Sequence, residues 1–234
     1  MLLRAENISR SFFRNTGSSN YFYAVSPLSI QLPAGSVTVL TGRSGSGKTT
    51  LLSLLSGILQ PTEGKVWVDH TDLYSLKDAA LSRFRNERIG VIPQARSAVD
   101  TLTVMENIQL PAALYGRPFS AEKAMLLMEE FDIAPLASVL PKELSGGELR
   151  RMAIVRALVH EPDLLFADEP TGDLDDENTD RVLSAFASFA HQNNKAVLIV
   201  THENDAAKYA DRLFRMEKGQ LSPASPLPPS ASSL

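Results

Sequence analysis

The sequence SVTVLTGRSGSGKTTLLSLLSGIL (residues 36–59) holds an apolar run, a glycine-rich loop and a helix-forming segment in direct succession. Within it, GRSGSGKT (42–49) matches the phosphate-binding pattern G-x-x-x-x-G-K-[ST]. Glycines let backbone N–H groups surround phosphate oxygens, and the positive end of the following helix adds to the attraction. An ordinary glycine turn is the alternative, but the order of strand, loop and helix favours a phosphate site. We therefore predict a strand, a phosphate-binding loop and a helix beginning near Lys48.

The loop supplies two side chains with specific chemistry. Lys48 can reach the β and γ phosphates of a nucleotide, and the Thr49 hydroxyl is suited to Mg²⁺. We expect phosphate contacts along the whole loop, from Gly42, Arg43, Ser44, Gly45, Ser46, Gly47, Lys48, Thr49 and Thr50.

Two apolar segments further along the chain end in polar residues that a nucleotide site needs. DLLFADEP (163–170) ends its apolar part at Asp168 and Glu169, and KAVLIVTHEND (195–205) places His202 just after another apolar run. Acidic residues at a strand end also serve as helix caps. In a chain with a phosphate loop, however, we predict that Asp168 holds the metal through water and that Glu169 acts as general base on the attacking water. We expect His202 to lie within reach of the γ phosphate.

The composition indicates a folded chain without a basic surface. The chain has 234 residues, is 44% hydrophobic, has a formal net charge of -4 and has no Cys. This excludes disulfides, thiolate zinc sites and iron–sulfur clusters, and it gives no electrostatic case for nucleic acid. No signal-peptide core and no apolar stretch of membrane-spanning length is visible in the sequence. A soluble cytoplasmic chain is therefore expected.

The order of segments predicts an α/β fold with a parallel sheet. The predicted strands of that sheet are 36–40, 88–92, 163–167 and 195–200. A more polar first stretch, turning at NTGSSN, predicts an antiparallel hairpin beside the sheet. Between Gln94 and Pro162 helical patterning takes over, for example at 120–133. The predicted organisation is an α/β lobe (1–94 and 161–221), an inserted helical lobe (95–160) and a disordered Ser/Pro tail (222–234).

A second glycine pair, in LSGGE (144–148), opens another helix. Ser145 and Glu148 have the spacing of a capping box, so this helix would begin here whether or not it binds a ligand. An exposed helix terminus contributes only about 0.3–1 kcal/mol to the binding of a nearby anion, too little to hold a nucleotide. It could instead complete a site whose Lys and metal lie elsewhere, including in another copy of the chain.

Taken together, the motifs carry a family resemblance. GRSGSGKTT, VIPQ with Gln94, LSGGE, LLFADEP, TGDLD and VTH occur in this order and resemble the ATP-binding subunit of an ABC transporter over nearly all of residues 1–221. The resemblance implies a P-loop NTPase (RecA-like) lobe with an inserted helical lobe, and it implies ATP and Mg²⁺ as ligands. TLTVMENIQLPAALYG and LPKELSGGE are most similar to the lipoprotein-releasing and macrolide-export type, although Pro93 and His70 depart from the usual pattern.

The family resemblance also implies a division of labour between two copies. Two subunits would meet head to tail, with Ser145, Gly146, Gly147 and Glu148 of one completing the ATP site of the other and Asp175 lying along the seam. His202 would sense the γ phosphate. Gln94 would contribute to the metal site and couple the helical lobe to the nucleotide. An aromatic residue would stack on adenine: Phe12 fits best by position, and Phe13 and Tyr21 remain alternatives.

The resemblance further implies a permease on a separate chain, with this subunit at the inner face of the cell membrane. Export or extraction of a lipid, lipoprotein, peptide or drug is expected. The alternative is an ATP-driven switch of the cell-division type that acts through a membrane partner without moving a substrate. A third class, ABC-type ATPases acting on DNA or ribosomes, is disfavoured because the chain has neither long coiled coils nor a second ATPase domain.

Overall fold

A computed structural model describes residues 2–13, 21–203 and 205–224. The strands are β1 (Leu3–Phe13), β2 (Tyr21–Leu32), β3 (Ser36–Thr41), β4 (Glu63–Val68), β5 (Thr71–Asp72), β6 (Ile89–Ile92), β7 (Leu164–Asp168), β8 (Ala196–Thr201), β9 (Arg212–Glu217) and β10 (Gln220–Pro223). The α-helices are α1 (Lys48–Leu55), α2 (Asp78–Arg88), α3 (Val104–Tyr115), α4 (Ala121–Glu130), α5 (Gly146–Leu158) and α6 (Asp176–Gln192).

The central sheet has the strand order β10-β9-β3-β8-β7-β6. Its strands β9, β3, β8, β7 and β6 pair in parallel, and β10 adds an antiparallel edge. Strands β7 and β8 are buried at every residue, because helices or the second sheet cover both faces. The predicted parallel sheet is confirmed, with β3, β6, β7 and β8 each within two residues of the predicted segments.

Alternate residues of the central strands point into two separate cores. Leu165 and Ala167 of β7 belong to the core beneath α5 and α6, whereas Leu164 and Phe166 belong to the core beneath α1. The second core is closed by a smaller antiparallel sheet of order β2-β1-β4-β5. The predicted N-terminal hairpin is therefore confirmed as β1 and β2, which are two strands of this sheet.

Helices α3, α4 and α5 lie between β6 and β7 in the sequence and form the predicted helical region. Ala124 and Met128 of α4 are fully buried and belong to the core. Two of these helices begin with a full capping box: Thr103 with Glu106 on α3, and Ser145 with Glu148 on α5.

The predicted boundaries at 94/95 and 160/161 fall between elements, and the division into lobes stays a prediction. The predicted tail, 222–234, begins too early in the sequence, because β10 continues to Pro223, which pairs with Phe214 of β9. Residues 225–234 lie outside the described residues. Within the described ranges, none of the helices is both long enough and apolar enough to cross a bilayer.

Candidate nucleotide site

The glycine-rich loop joins β3 to α1 at the carboxyl end of the parallel sheet, where ligands of open α/β sheets bind. Gly47 is the N-cap of α1 and has φ +107°, a conformation that other residues rarely adopt. A Cβ at this position would lie 2.2 Å from the carbonyl oxygen of Ala24. Only glycine therefore allows the loop to fold this tightly against β2 at the start of α1.

Lys48 is held in place by the loop that carries it. Its Nζ donates to the carbonyl oxygens of Gly42 at 2.7 Å and Arg43 at 3.3 Å, and lies 4.0 Å from Oε1 of Glu169. The side chain is 8% exposed. A cation with so little contact with solvent attracts further negative charge, as a phosphate would provide.

Asp168 is the last residue of β7 and is buried next to the loop. Its Oδ1 has no hydrogen-bond partner among the described residues. Burial raises the pKa of Asp168 above its ordinary value, whereas the hydrogen bond from Thr49 lowers it. A buried carboxylate with an unpartnered oxygen, beside a hydroxyl, fits a hard cation such as Mg²⁺.

Glu169 follows Asp168 but turns towards a different neighbour, because its backbone has φ +48°. Its N–H donates to the carbonyl of Val200 at 2.7 Å. Its Oε2 lies 3.0 Å from Nδ1 of His202 and accepts the His202 backbone N–H at 3.3 Å. A non-glycine residue in the left-handed region stores strain of about 1–3 kcal/mol, which is common where a side chain is aimed for function.

A cavity of about 790 Å³ opens over these residues. The predicted site residues that line it are Phe12, Arg43, Ser44, Gly45, Gly47, Lys48, Thr49, Thr50, Gln94, Glu169 and His202. Gly42 and Ser46 of the same loop and the buried Asp168 are not among the described residues that line the cavity. The structure thus brings together residues from four separate motifs, and their individual roles stay predictions.

The cavity has further wall residues that the sequence analysis did not identify: Phe22, Tyr23 and Ala24 of β2, and Lys218 and Gly219 between β9 and β10. The Gly219 N–H donates to the Ser46 carbonyl at 2.9 Å, so the β9–β10 turn supports the phosphate loop. The only signals in the sequence were the Gly in EKGQ and the aromatic run YFY.

The structure separates the three aromatic candidates for the adenine site. Phe12 lines the cavity and stacks on Phe22 with 5.9 Å between ring centroids. Phe13 and Tyr21 pack edge to face on each other, 5.3 Å apart, and are 56% and 69% exposed. Neither Phe13 nor Tyr21 is among the described residues that line the cavity. This placement favours Phe12.

The start of α5 lies outside the cavity. In the part of the chain that the structure describes, the cavity wall includes none of Ser145, Gly146, Gly147 and Glu148. Ser145 and Glu148 form the predicted capping box, with the Ser145 N–H and hydroxyl both 2.7 Å from Oε2 of Glu148. These bonds lower the pKa of Glu148.

Asp175 is exposed and caps α6, since its carboxylate accepts the N–H of Asn178 at 2.8 Å. These hydrogen bonds lower the pKa of Asp175. The neighbouring Asp173 and Leu174 pack against Gly147. The α5 start and the loop before α6 therefore form one exposed surface, which a second copy would be able to contact.

Comparison with known proteins identifies the family. The model of the ABC transporter family matches residues 25–172, and the chain belongs to that family. The predictions of the family, the fold and the ATPase class are confirmed.

Two relatives and one structure illustrate the match. The chain is 40% identical over 194 residues to an uncharacterised ABC transporter ATP-binding protein of Mycobacterium tuberculosis, covering 81% of this chain and 77% of that protein. It is 34% identical over 220 residues to the lipoprotein-releasing system ATP-binding protein LolD of Bdellovibrio bacteriovorus, covering 93% and 99%. It resembles the ATP-binding cassette MJ0796, a dimer in a post-hydrolysis state bound to ADP and Pi, with a TM-score of 0.87, 27% identity and coverage of 95% and 98%.

Proposed function

We propose that this chain is the ATP-hydrolysing subunit of an ABC transporter and that two copies close head to tail around ATP. One observation carries the proposal: the phosphate cavity and the helix start at Ser145 are both open to solvent but do not meet within one chain. A second copy in the opposite orientation brings one over the other. The dimeric form of MJ0796 supports this arrangement.

Within one copy, binding of the triphosphate depends on the loop and Lys48. The loop N–H groups and the α1 N-terminus surround the phosphate oxygens, and the buried ammonium neutralises the β and γ phosphates. Phe12 stacks on the adenine ring, and Phe22 packs on Phe12.

Mg²⁺ fits beside Thr49 and Asp168, where the carboxylate oxygen has no partner among the described residues. Gln94, which reaches the same cavity, is the third candidate. A cation bound here neutralises the charge of the β and γ phosphates.

Glu169 is the group that activates water. It is nearly buried, with 11% of its side chain exposed, and is held by the His202 backbone N–H. It therefore keeps a fixed direction from which to accept a proton from the attacking water. His202 is 65% exposed at the side chain and points into the cavity mouth, where its imidazole donates to the γ phosphate.

The partner copy completes the site with the start of its α5. The exposed Ser145 hydroxyl and the backbone N–H groups of Gly146 and Gly147 bind the γ phosphate, and Glu148 keeps that helix turn formed through its capping box. Asp175 lies along the seam between the copies. The small contribution of one helix terminus is then added to a site that already holds Lys48 and the metal.

The permease binds in the groove between the helical region and the rest of the chain. A cavity of about 260 Å³ lies there, lined by residues of α2, α3 and α5 and by the exposed Ile58. Val104 and Ile108 of α3 are fully buried and serve the core. The subunit acts at the inner membrane face through this permease. The similarity to LolD favours extraction or export of a lipid, lipoprotein, peptide or drug.

Mixing two inactive variants tests the composite site. Lys48→Ala disables the phosphate loop and Ser145→Arg disables the α5 start, so each alone loses ATP turnover. A head-to-tail heterodimer of the two has one intact site, and random mixing restores about a quarter of the wild-type rate. If each copy used its own Ser145, no mixture would exceed the sum of the separate variants, and the proposal would be wrong.

A further inference from the structure

Arg150, on the second turn of α5, has unusual surroundings for an arginine. Its side chain is only 9% exposed. Nη1 donates to the carbonyl oxygen of Pro93 at 2.7 Å, and Nη2 donates to that of Gln94 at 2.9 Å. Nη2 also lies 3.8 Å from Oδ2 of Asp173. One guanidinium thus joins the helix that Ser145 opens, the loop that carries Gln94 and the loop before α6.

A second arginine of α5 binds the same loop further along. Arg156 donates to the Ser97 carbonyl at 2.8 Å and to the Ser97 hydroxyl. Burial lowers the pKa of Arg156, so these bonds replace part of the lost hydration of its charge. Both ends of the segment 93–97 are therefore tied to α5 by arginine hydrogen bonds.

The loop is tied by these bonds more than by packing. A cavity of about 120 Å³ lies between the loop and α5, lined by Pro93–Ala98, Gly146, Leu149, Arg150, Met152, Ala153 and Asp173. Gln94 itself is exposed and lines the nucleotide cavity. Its backbone is thus bound to α5 while its side chain is free to follow the nucleotide.

We infer that Arg150 is a positioning residue that makes the Gln94 loop and the start of α5 move as one unit. When Gln94 moves towards the bound nucleotide, its carbonyl draws Arg150, and α5 carries Ser145 with it. The planar guanidinium suits this role because it donates to two adjacent carbonyls at once in a fixed geometry. A lysine ammonium on a flexible stem does not hold two carbonyls in this way. The inference rests on the proposed function, since it requires that Gln94 responds to ATP.

A double-mutant cycle on the full chain tests this inference. Hydrogen bonds from a charged donor are stronger than those from a neutral one. Arg150→Lys should therefore lower kcat for ATP about tenfold, with KM changed by less than about twofold. In the Gln94→Ala background the same change should have little further effect on kcat, because the coupled side chain is already gone. Arg150→Gln, which keeps fewer donors, serves as the second variant if Arg150→Lys does not fold.

One further measurement and a control variant separate positioning from simple stabilisation. Amide hydrogen exchange in 94–98 should become faster in Arg150→Lys while the exchange of β7 and β8 stays unchanged. Arg83→Lys, on an exposed pair with Glu87 in α2, is the matched control and should leave both kcat and exchange as in the wild type.

Equal fractional losses of kcat with and without Gln94 would overturn the inference, as would unchanged exchange in 94–98. A wild-type chain without ATP turnover would instead overturn the proposed function, so the two failures are distinguishable.

Discussion

Glu169 and His202 form a pair in which one carboxylate oxygen meets both the ring and the backbone of the histidine. Oε2 of Glu169 lies 3.0 Å from Nδ1 of His202 and accepts its backbone N–H at 3.3 Å. The other oxygen, Oε1, lies 4.0 Å from Nζ of Lys48. The carboxylate is thereby fixed between the end of β8 and the phosphate loop. This fixed position is what the proposed general base on the attacking water requires.

Replacing Glu169 by Gln should keep ATP binding and stop turnover. The amide has nearly the same shape and still accepts the His202 N–H, but it does not accept a proton from water. General-base catalysis is worth about 10²–10⁴-fold, so kcat should fall by that factor. Because the ATP-bound dimer then persists, light scattering with ATP should give twice the mass of the apo chain. A variant that stays monomeric at high ATP would contradict this.

The Glu169 contact should also be visible in the titration of His202. The hydrogen bond and charge of Glu169 raise the pKa of His202 above its ordinary value of 6.5, with Lys48 opposing. The stability that this pair contributes is present below the unfolded pKa and is lost as the pH rises through the folded pKa. In Glu169→Gln the charge is gone, so the pKa of His202 should move back towards 6.5. NMR titration of the ring protons measures this directly, and an unchanged pKa would contradict the contact.

The base-stacking assignment can be tested with two neighbouring phenylalanines. Phe12 lines the cavity, whereas Phe13 is 56% exposed and packs on Tyr21. Stacking of an aromatic on a base is worth about 1–3 kcal/mol, so Phe12→Ala should raise KM for ATP by about 5- to 150-fold. Phe13→Ala should leave KM within about twofold. The reverse result, measured in the same ATPase assay, would move the adenine site to the alternative residue.

The central sheet was predictable because its strands are nearly continuous apolar runs, which burial on both faces requires. Strands β9 and β10 gave no such signal. RLFRME mixes charged and apolar residues without a continuous apolar run, and β9 lies near the sheet edge, where only part of its surface is covered. The strand end that carries Asp168 and Glu169 was predictable, since the apolar run stops there.

The cavity wall was only partly predictable, since the residues that β2 and the β9–β10 turn contribute reach it through distant packing. Lys218 and Phe22 are far apart in the sequence and reach the phosphate loop only because β2 and the β9–β10 turn pack beside it. Their own segments match no nucleotide motif. The contacts of Arg150 were likewise hidden, because an arginine in a helix does not indicate which loop its guanidinium will reach.

The two capping boxes provide a matched test of the role of Ser145. Thr103 on α3 and Ser145 on α5 each accept the N–H of a Glu three residues on, at 3.3 Å in both cases. Removing such a cap costs about 0.5–2 kcal/mol, so Thr103→Ala and Ser145→Ala should lower the free energy of unfolding by similar amounts in urea titrations. Only Ser145→Ala should also lower ATP turnover and reduce the ATP-bound dimer in the Glu169→Gln background, because the proposed dimer places only that hydroxyl against the nucleotide of a second copy. If both variants lost turnover equally, the effect would come from stability alone, and Ser145 would be a helix cap without a role in the site.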